Sequence, residues 1–182
     1  MAFASSAIPE TVKVLPAPIE GYDIVPLKWT GKLDNRGEDV TLEGTVEEIT
    51  SKVKKTNPDF GLEIRPEKRA EFGKVNCGWG GSGKASGLAI GDGIKYLNGF
   101  GDGYCGLDDG PYKCARISCS YNSAIWLCND NDTPLRVRCG DLEPFIRKIV
   151  DDCYTWGFGE PMVQGQIFTN ENWNVILGKD KC

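Results

Sequence analysis

The distribution of cysteine constrains this chain more than any other feature of its sequence. All eight cysteines lie between residues 77 and 182. An even number of cysteines without a CxxC motif fits a zinc ribbon poorly and is typical of disulfides formed in an oxidising compartment. Sequence alone does not fix the pairing, because eight cysteines allow roughly a hundred connectivities. The candidate disulfide residues are Cys77, Cys105, Cys114, Cys119, Cys128, Cys139, Cys153 and Cys182.

A dibasic pair, Lys68-Arg69, marks the boundary between the cysteine-free and the cysteine-rich part of the chain. Secretory proteases of the kexin type cleave after such pairs, and this pair lies in a charged stretch that favours exposure. We expect residues 1–69 to be a pro-domain and residues 70–182 to be the mature, disulfide-rich domain. The alternative is that residues 1–69 form the first layer of one continuous domain.

Upstream of the dibasic pair, the sequence predicts a small ββα unit. One strand is predicted over residues 22–29, where apolar side chains alternate, and a second over residues 39–43. Thr45 and Glu48 have the spacing of a capping box, which predicts a helix over residues 44–56. A unit this small is marginal alone and usually needs a partner surface.

Downstream of the dibasic pair, the predicted order is loop, helix, hairpin, helix, hairpin. Because strands do not alternate with crossover helices, the predicted fold class is α+β, a disulfide-stabilised antiparallel sheet with two helices. The central hairpin turns at Tyr121-Asn122, since asparagine tolerates positive φ. A continuous apolar stripe predicts the second helix over residues 142–153, with Asp141 as its N-cap. The other elements are a helix over residues 90–97 and strands over residues 114–119, 123–128, 164–168 and 173–177.

Three loops invite functional interpretations. Residues 78–86 nearly match a phosphate-binding loop, but Ala85 stands where the magnesium-binding hydroxyl belongs, so we expect a flexible loop without a nucleotide. Residues 98–111 are rich in glycine and aspartate, and their spacing does not match an EF-hand, which predicts a long solvated loop. Asn131 begins a formal N-glycosylation sequon and is a candidate glycan site, although its neighbours should make it inefficient.

The chain contains no histidine. This removes the commonest general base, most zinc ligand sets and every Ser-His or Cys-His nucleophile. Paired carboxylates still permit hydrolysis, with Asp108-Asp109 and Asp151-Asp152 as candidate acids, but adjacent aspartates are usually solvated surface. We therefore expect no enzyme activity, no catalytic residues, no metal and no cofactor.

Charge and hydropathy also limit the partners. A net charge of −5 and scattered basic residues argue against binding to nucleic acid. No apolar run approaches the roughly 20 residues that a membrane span needs. Residues 1–6 lack an apolar signal-peptide core, and Ala2-x-Ala4 resembles the end of a signal cleavage site, so we expect that a native signal was removed and Met1 added. The expected product is a secreted, extracellular monomer.

Two stretches of the cysteine-rich part, residues 116–131 and 165–182, resemble small cysteine-rich proteins that filamentous fungi secrete. The segments Pro-Ala-Pro-Ile-Glu-Gly and Gly-Thr-Val-Glu-Glu-Ile upstream resemble the pro-domains of fungal effectors. More distantly, the arrangement is similar to the virally encoded killer toxins of smut fungi. The shared elements are Asn-Cys at Cys77, an Ile-x-Cys strand, a helix ending at Cys153 and a Gly-Gln-Ile strand before a terminal cysteine.

The killer-toxin resemblance implies a compact α/β sandwich and, for some members, a block of calcium uptake in target cells. It also implies the pairs Cys77–Cys153 and Cys119–Cys182, which leaves Cys105–Cys139 and Cys114–Cys128. The last pair conflicts with a two-residue turn at Tyr121-Asn122, because Cys114 and Cys128 would then face opposite sides of the hairpin. A bulge, a different register or another pairing must resolve this conflict.

The favoured hypothesis is a secreted fungal effector or virulence-type protein, of killer-toxin type, that binds a host or competitor target. A carbohydrate-binding module is the alternative, with Trp79 and Trp156 as stacking platforms because both lie in glycine-flanked loops. Trp126 and Trp173 lie on predicted strands and should be core residues. A carboxylate-dependent hydrolase is a third, weaker hypothesis.

We expect a kexin-type protease to cut the chain between Arg69 and Ala70, because the pair lies in a charged linker. N-terminal sequencing of the products should find a fragment that begins at Ala70, and Arg69→Ala should abolish the cut. A chain that stays intact at this bond would contradict the pro-domain hypothesis.

Overall fold

The computed structural model describes residues 17–33, 37–61 and 71–182. Lys68 and Arg69 lie outside these ranges. Within them the fold is mixed α+β and mostly sheet, with three α-helices and four disulfides, which confirms the predicted class.

The described residues form three α-helices, thirteen β-strands and a 3₁₀ turn at Cys139–Leu142. The helices are α1 (Val46–Lys54), α2 (Gly87–Asn98) and α3 (Glu143–Cys153). The strands are β1 (Asp23–Val25), β2 (Lys28–Lys32), β3 (Asp39–Glu43), β4 (Val75–Cys77), β5 (Ala85–Ser86), β6 (Tyr104–Leu107), β7 (Lys113–Ser120), β8 (Ser123–Asn129), β9 (Leu135–Arg138), β10 (Thr155–Gly157), β11 (Glu160–Val163), β12 (Gly165–Phe168) and β13 (Trp173–Lys179).

A six-stranded sheet in the order β1-β7-β8-β13-β12-β4 forms the centre of the molecule. Only the β1–β7 pair is parallel. Every residue of β8 is buried, because both faces of the sheet are covered. On one face, Ile125 and Leu127 join the main core under the helices. On the other face, Trp126 and Ile176 belong to a second cluster, which residues 19–24 cover.

Two smaller sheets flank the central one, in the orders β3-β2-β6-β9 and β10-β11-β5. The segment upstream of the dibasic pair contributes to two of the three sheets, because β1 pairs with β7 and β2 pairs with β6. Its buried side chains belong to the same cluster as those of α2, α3 and β8; they are Leu27, Trp29, Val46, Ile49 and Val53. The described part of this segment therefore shares one core with the cysteine-rich part.

Several predicted boundaries need correction. The single strand over residues 22–29 is two strands in different sheets, because Pro26 cannot donate to a ladder and the chain changes sheet at Pro26-Leu27. The long loop over residues 98–111 contains β6, which pairs with β2 and β9. Asp141 is not an N-cap, since it lies in the 3₁₀ turn that runs directly into α3. The capping box at Thr45 and Glu48 is present as predicted.

The structure contains the disulfides Cys77–Cys153, Cys105–Cys139, Cys114–Cys128 and Cys119–Cys182, which are the four pairs expected above. The conflict at Cys114–Cys128 is resolved by a bulge between Arg116 and Ser118. Tyr121 and Asn122 form the expected two-residue turn, and the extra residue, Ile117, shifts the register by one, so that Cys114 lies directly opposite Cys128.

Helix α2 packs against the central sheet through a glycine, and this contact can be tested. A Cβ at Gly93 would lie 2.6 Å from Ser118 Oγ and 2.9 Å from Ile125 Cδ1. We expect Gly93→Ala to lower the free energy of unfolding by about 1–3 kcal/mol through overpacking. Gly91 is the matched control, because a Cβ there meets nothing within 4 Å. Gly91→Ala should raise the free energy of unfolding by about 0.4–1 kcal/mol, so equal effects in urea denaturation would contradict the packing.

Candidate functional site

A short hairpin, β10–β11, follows α3 directly and is fixed at its base by the Cys77–Cys153 disulfide. Gly157 pairs with Glu160, so Phe158 and Gly159 form a two-residue turn. Both have positive φ, 53° and 80°, which is the geometry of a type I′ hairpin turn. The edge strand β10 therefore carries a tight turn at its end.

The side chains of this hairpin are unusually exposed aromatic groups. Tyr154 is 51% exposed, Trp156 68% and Phe158 100%. Trp156 lies on β10, Tyr154 directly precedes this strand, and Phe158 follows it in the turn, so the three exposed rings fall within five residues of the chain. We call Tyr154, Trp156 and Phe158 the aromatic hairpin. Singly exposed apolar residues are ordinary on a protein surface, whereas a group of large exposed apolar side chains often marks a binding site.

Phe158 breaks two local rules at once. A bulky residue at positive φ is uncommon, because its Cβ is crowded by the backbone, and this position of a type I′ turn favours Asn, Asp or Gly. Its ring gains nothing from burial, since it is fully exposed. Strained backbone that brings no packing benefit is concentrated at functional sites. Phe158 is therefore the strongest candidate contact residue of the aromatic hairpin.

A second hairpin tip lies nearby. Tyr121, in the β7–β8 turn, is 86% exposed and also has positive φ. Ser86 connects the two hairpins, because its N–H donates to Ser123 Oγ at 2.9 Å and its Oγ donates to Glu160 Oε2 at 2.9 Å. The two exposed tips therefore flank Ser86 at the same part of the surface.

The glycine-rich loop before β5 presents Trp79, which is 60% exposed. Its backbone is engaged with the protein: Gly81 N–H donates to Pro18 O and Ser82 N–H donates to Lys179 O. Gly80 lies against Ile176, where a Cβ would overlap the side chain. The loop is thus held by hydrogen bonds on both sides, unlike the flexible loop that the sequence predicts, and these amides do not form a phosphate cradle.

The remaining predicted site residues are placed as follows. Trp126 and Trp173 are 1% and 5% exposed, as expected for core residues. Lys28 Nζ donates to both carboxylate oxygens of Asp108 at 2.8 Å, and this bond raises the pKa of Lys28 above its usual value. Asp152 pairs with Lys148 at 2.7 Å. Each candidate aspartate pair therefore has one member in a surface ion pair.

Asn131 is half-buried and bridges two loops. Its side-chain amide donates to Glu171 O at 2.9 Å and to Asn172 O at 3.1 Å. A glycan on this nitrogen would replace one of its two N–H hydrogens and so remove at least one of these bonds. The side chain therefore has a structural role in the folded protein.

The cavities among the described residues include two that are lined by charged side chains. One, of about 500 Å³, lies between α1, α2 and Tyr121, and its Lys95 pairs with Asp92 at 2.7 Å. The other, of about 460 Å³, lies beside β9, where Arg136 stacks over Tyr104 at 4.0 Å from the ring centroid. Both are lined by acidic and basic side chains, so neither lining favours a ligand of one charge.

In residues 17–33, 37–61 and 71–182, no three cysteine, aspartate or glutamate side chains form a group that could hold a metal ion. No helix in these same ranges is long and apolar enough to cross a membrane.

No family model matches this chain, and comparisons with curated proteins and with solved structures find no significant match. The candidate site therefore rests on its own geometry. Sequence reasoning identified Trp156 but missed Tyr154 and Phe158, although the sequence Tyr-x-Trp-x-Phe-Gly shows three closely spaced aromatic residues and a glycine suited to a turn.

Replacing Phe158 with a residue that suits the turn tests whether this position is strained for function. Phe158→Asn should raise the free energy of unfolding by about 1 kcal/mol, because asparagine tolerates positive φ. Trp156→Ala, which leaves the turn unchanged, is the comparison and should change it by less than about 0.5 kcal/mol. A loss of stability in Phe158→Asn on thermal or urea unfolding would show that the ring contributes to the fold.

Proposed function

We propose that this protein is a secreted effector or toxin-type protein that is matured by a kexin-type protease and acts by binding. Its target contacts the aromatic hairpin. The observation that carries the proposal is Phe158, a fully exposed aromatic ring held at positive φ, close in the chain to the exposed rings of Trp156 and Tyr154. Aromatic side chains with few rotatable bonds are the commonest hot-spot residues of binding surfaces.

The rest of the chain supports this proposal as a scaffold. Four disulfides among eight cysteines favour an oxidising compartment. The disulfide Cys77–Cys153 fixes the end of α3, directly before the hairpin, so the aromatic side chains start from a rigid base. Two of the four pairs, Cys77–Cys153 and Cys119–Cys182, are those that the killer-toxin resemblance implies, and this resemblance assigns no target.

The proposal is tested by comparing variants that fold equally well. Infiltration into plant tissue and addition to competing fungi are the two assays. Trp156→Ala with Phe158→Asn should raise the effective dose by roughly 30-fold, because buried aromatic anchors contribute about 2 kcal/mol or more to binding. Tyr96→Ala, an exposed aromatic on α2, is the matched control and should be fully active. Activity retained by the double variant, or inertness of the native protein in both assays, would contradict the proposal.

Carbohydrate binding is a second candidate, favoured by the exposure of Trp79 and Trp156, which are 60% and 68% accessible. Exposed indole rings can stack on the apolar faces of sugars. A glycan array separates the two candidates: binding that is lost in Trp156→Ala would identify a carbohydrate ligand, and an array without hits would leave the protein target.

A further inference from the structure

The segment of residues 17–61 is joined to residues 71–182 by backbone ladders that do not depend on chain continuity. Strand β1 pairs in parallel with β7 from Asp23 to Val25. Strand β2 pairs antiparallel with β6 from Lys28 to Thr30. In addition, Gly81 N–H donates to Pro18 O and Asp23 N–H donates to Tyr112 O. The segment thus supplies strands to two sheets that contain the cysteine-rich part.

The segment also covers apolar surface on both faces of the central sheet. Ile19, Tyr22 and Ile24 pack on the cluster that contains Trp126 and Ile176, which are 1% and 0% exposed. On the helical face the segment contributes five buried side chains to the main core, namely Leu27, Trp29, Val46, Ile49 and Val53. Departure of the segment would expose both surfaces to water, which is unfavourable.

Polar side chains fix the position of the segment. Glu47 of α1 accepts hydrogen bonds from Ser118 Oγ at 2.5 Å and from Cys119 N–H at 3.4 Å. Tyr22 Oη donates to Asp130 at 2.7 Å, and burial together with this bond raises the pKa of Tyr22 above its ordinary value. Loss of the segment would leave these partners unsatisfied, which adds to the cost of separation.

None of the four disulfides joins the segment to the rest, because every cysteine lies at residue 77 or later. The whole attachment is therefore non-covalent once the chain is cut between residues 61 and 71.

From these contacts we infer that residues 17–61 are retained after cleavage, so that the mature protein is a non-covalent two-chain assembly. The partner of the cysteine-rich chain is its own N-terminal segment. This inference rests on the cleavage proposed above, and it changes the expected active form: the free fragment 70–182 is not the species that reaches a target.

The test uses the full chain with residues 65–69 replaced by the recognition sequence of enteropeptidase, so that the cut does not depend on kexin. After complete cleavage, native mass spectrometry and size-exclusion chromatography at micromolar concentration should find one species containing both fragments. Separation of the fragments, whether the C-terminal one stays soluble or precipitates, would overturn the inference. Failure of kexin to cut the native chain at Arg69 would instead overturn the maturation proposal and leave this result unaffected.

Two variants in α1 show whether the buried interface holds the chains. In the cut protein, Ile49→Ala should raise the dissociation constant of the two fragments by about tenfold or more, because Ile49 is fully buried. Lys54→Ala is the matched control on the exposed face of the same helix and should change it less than about twofold. Equal behaviour of the two variants would show that the segment is not held by this core.

Discussion

The packing of Trp29 joins the two parts of the chain. Its indole is 1% exposed and lies against Phe60 and Phe100, with ring centroids 5.8 Å and 5.3 Å away. Gly103 closes the slot, since a Cβ there would overlap the indole nitrogen, so only glycine fits. Phe60 belongs to the cysteine-free segment, whereas Phe100 and Gly103 follow the dibasic pair. The core around Trp29 is therefore complete only when both parts are folded together.

The magnitudes explain why the disulfides cannot replace this contact. Burial of one large apolar side chain contributes roughly 1.5–3 kcal/mol, and the segment buries several. Their sum is comparable with the whole stability of a typical domain, about 5–15 kcal/mol. A disulfide stabilises mainly by restricting the unfolded chain, by about 2–4 kcal/mol, and does not cover an exposed apolar face. The side chains of the aromatic hairpin differ from these core residues, because they are exposed to solvent and contribute little buried apolar area.

Sequence patterns that span a few residues predicted much of the fold. The pairing of strands that are distant in the chain could not be predicted in this way. The capping box at Thr45, the turn at Tyr121-Asn122 and the apolar stripe of α3 are encoded within a few residues, and the structure contains all three. Strands β6, β9 and β10 are short and are specified by their partners, so their sequences resemble loops. The bulge at Ile117 is a similar case: the sequence shows that Cys114 and Cys128 need a register change, but not where. Trp156 could be predicted, whereas the importance of Phe158 required its backbone angle and exposure.

The central claim, that one core spans both parts of the uncut chain, is tested most directly by native-state hydrogen exchange. Amides of β2 and α1 should open with the same free energy as those of β8, because all three elements contribute to the same core. The measurement follows individual amides, including Trp29, Ile49 and Ile125, under weakly denaturing conditions. Equal opening free energies that fall together with denaturant would agree with a single cooperative unit. Exchange of β2 and α1 at a clearly lower free energy, while β8 stays protected, would contradict it.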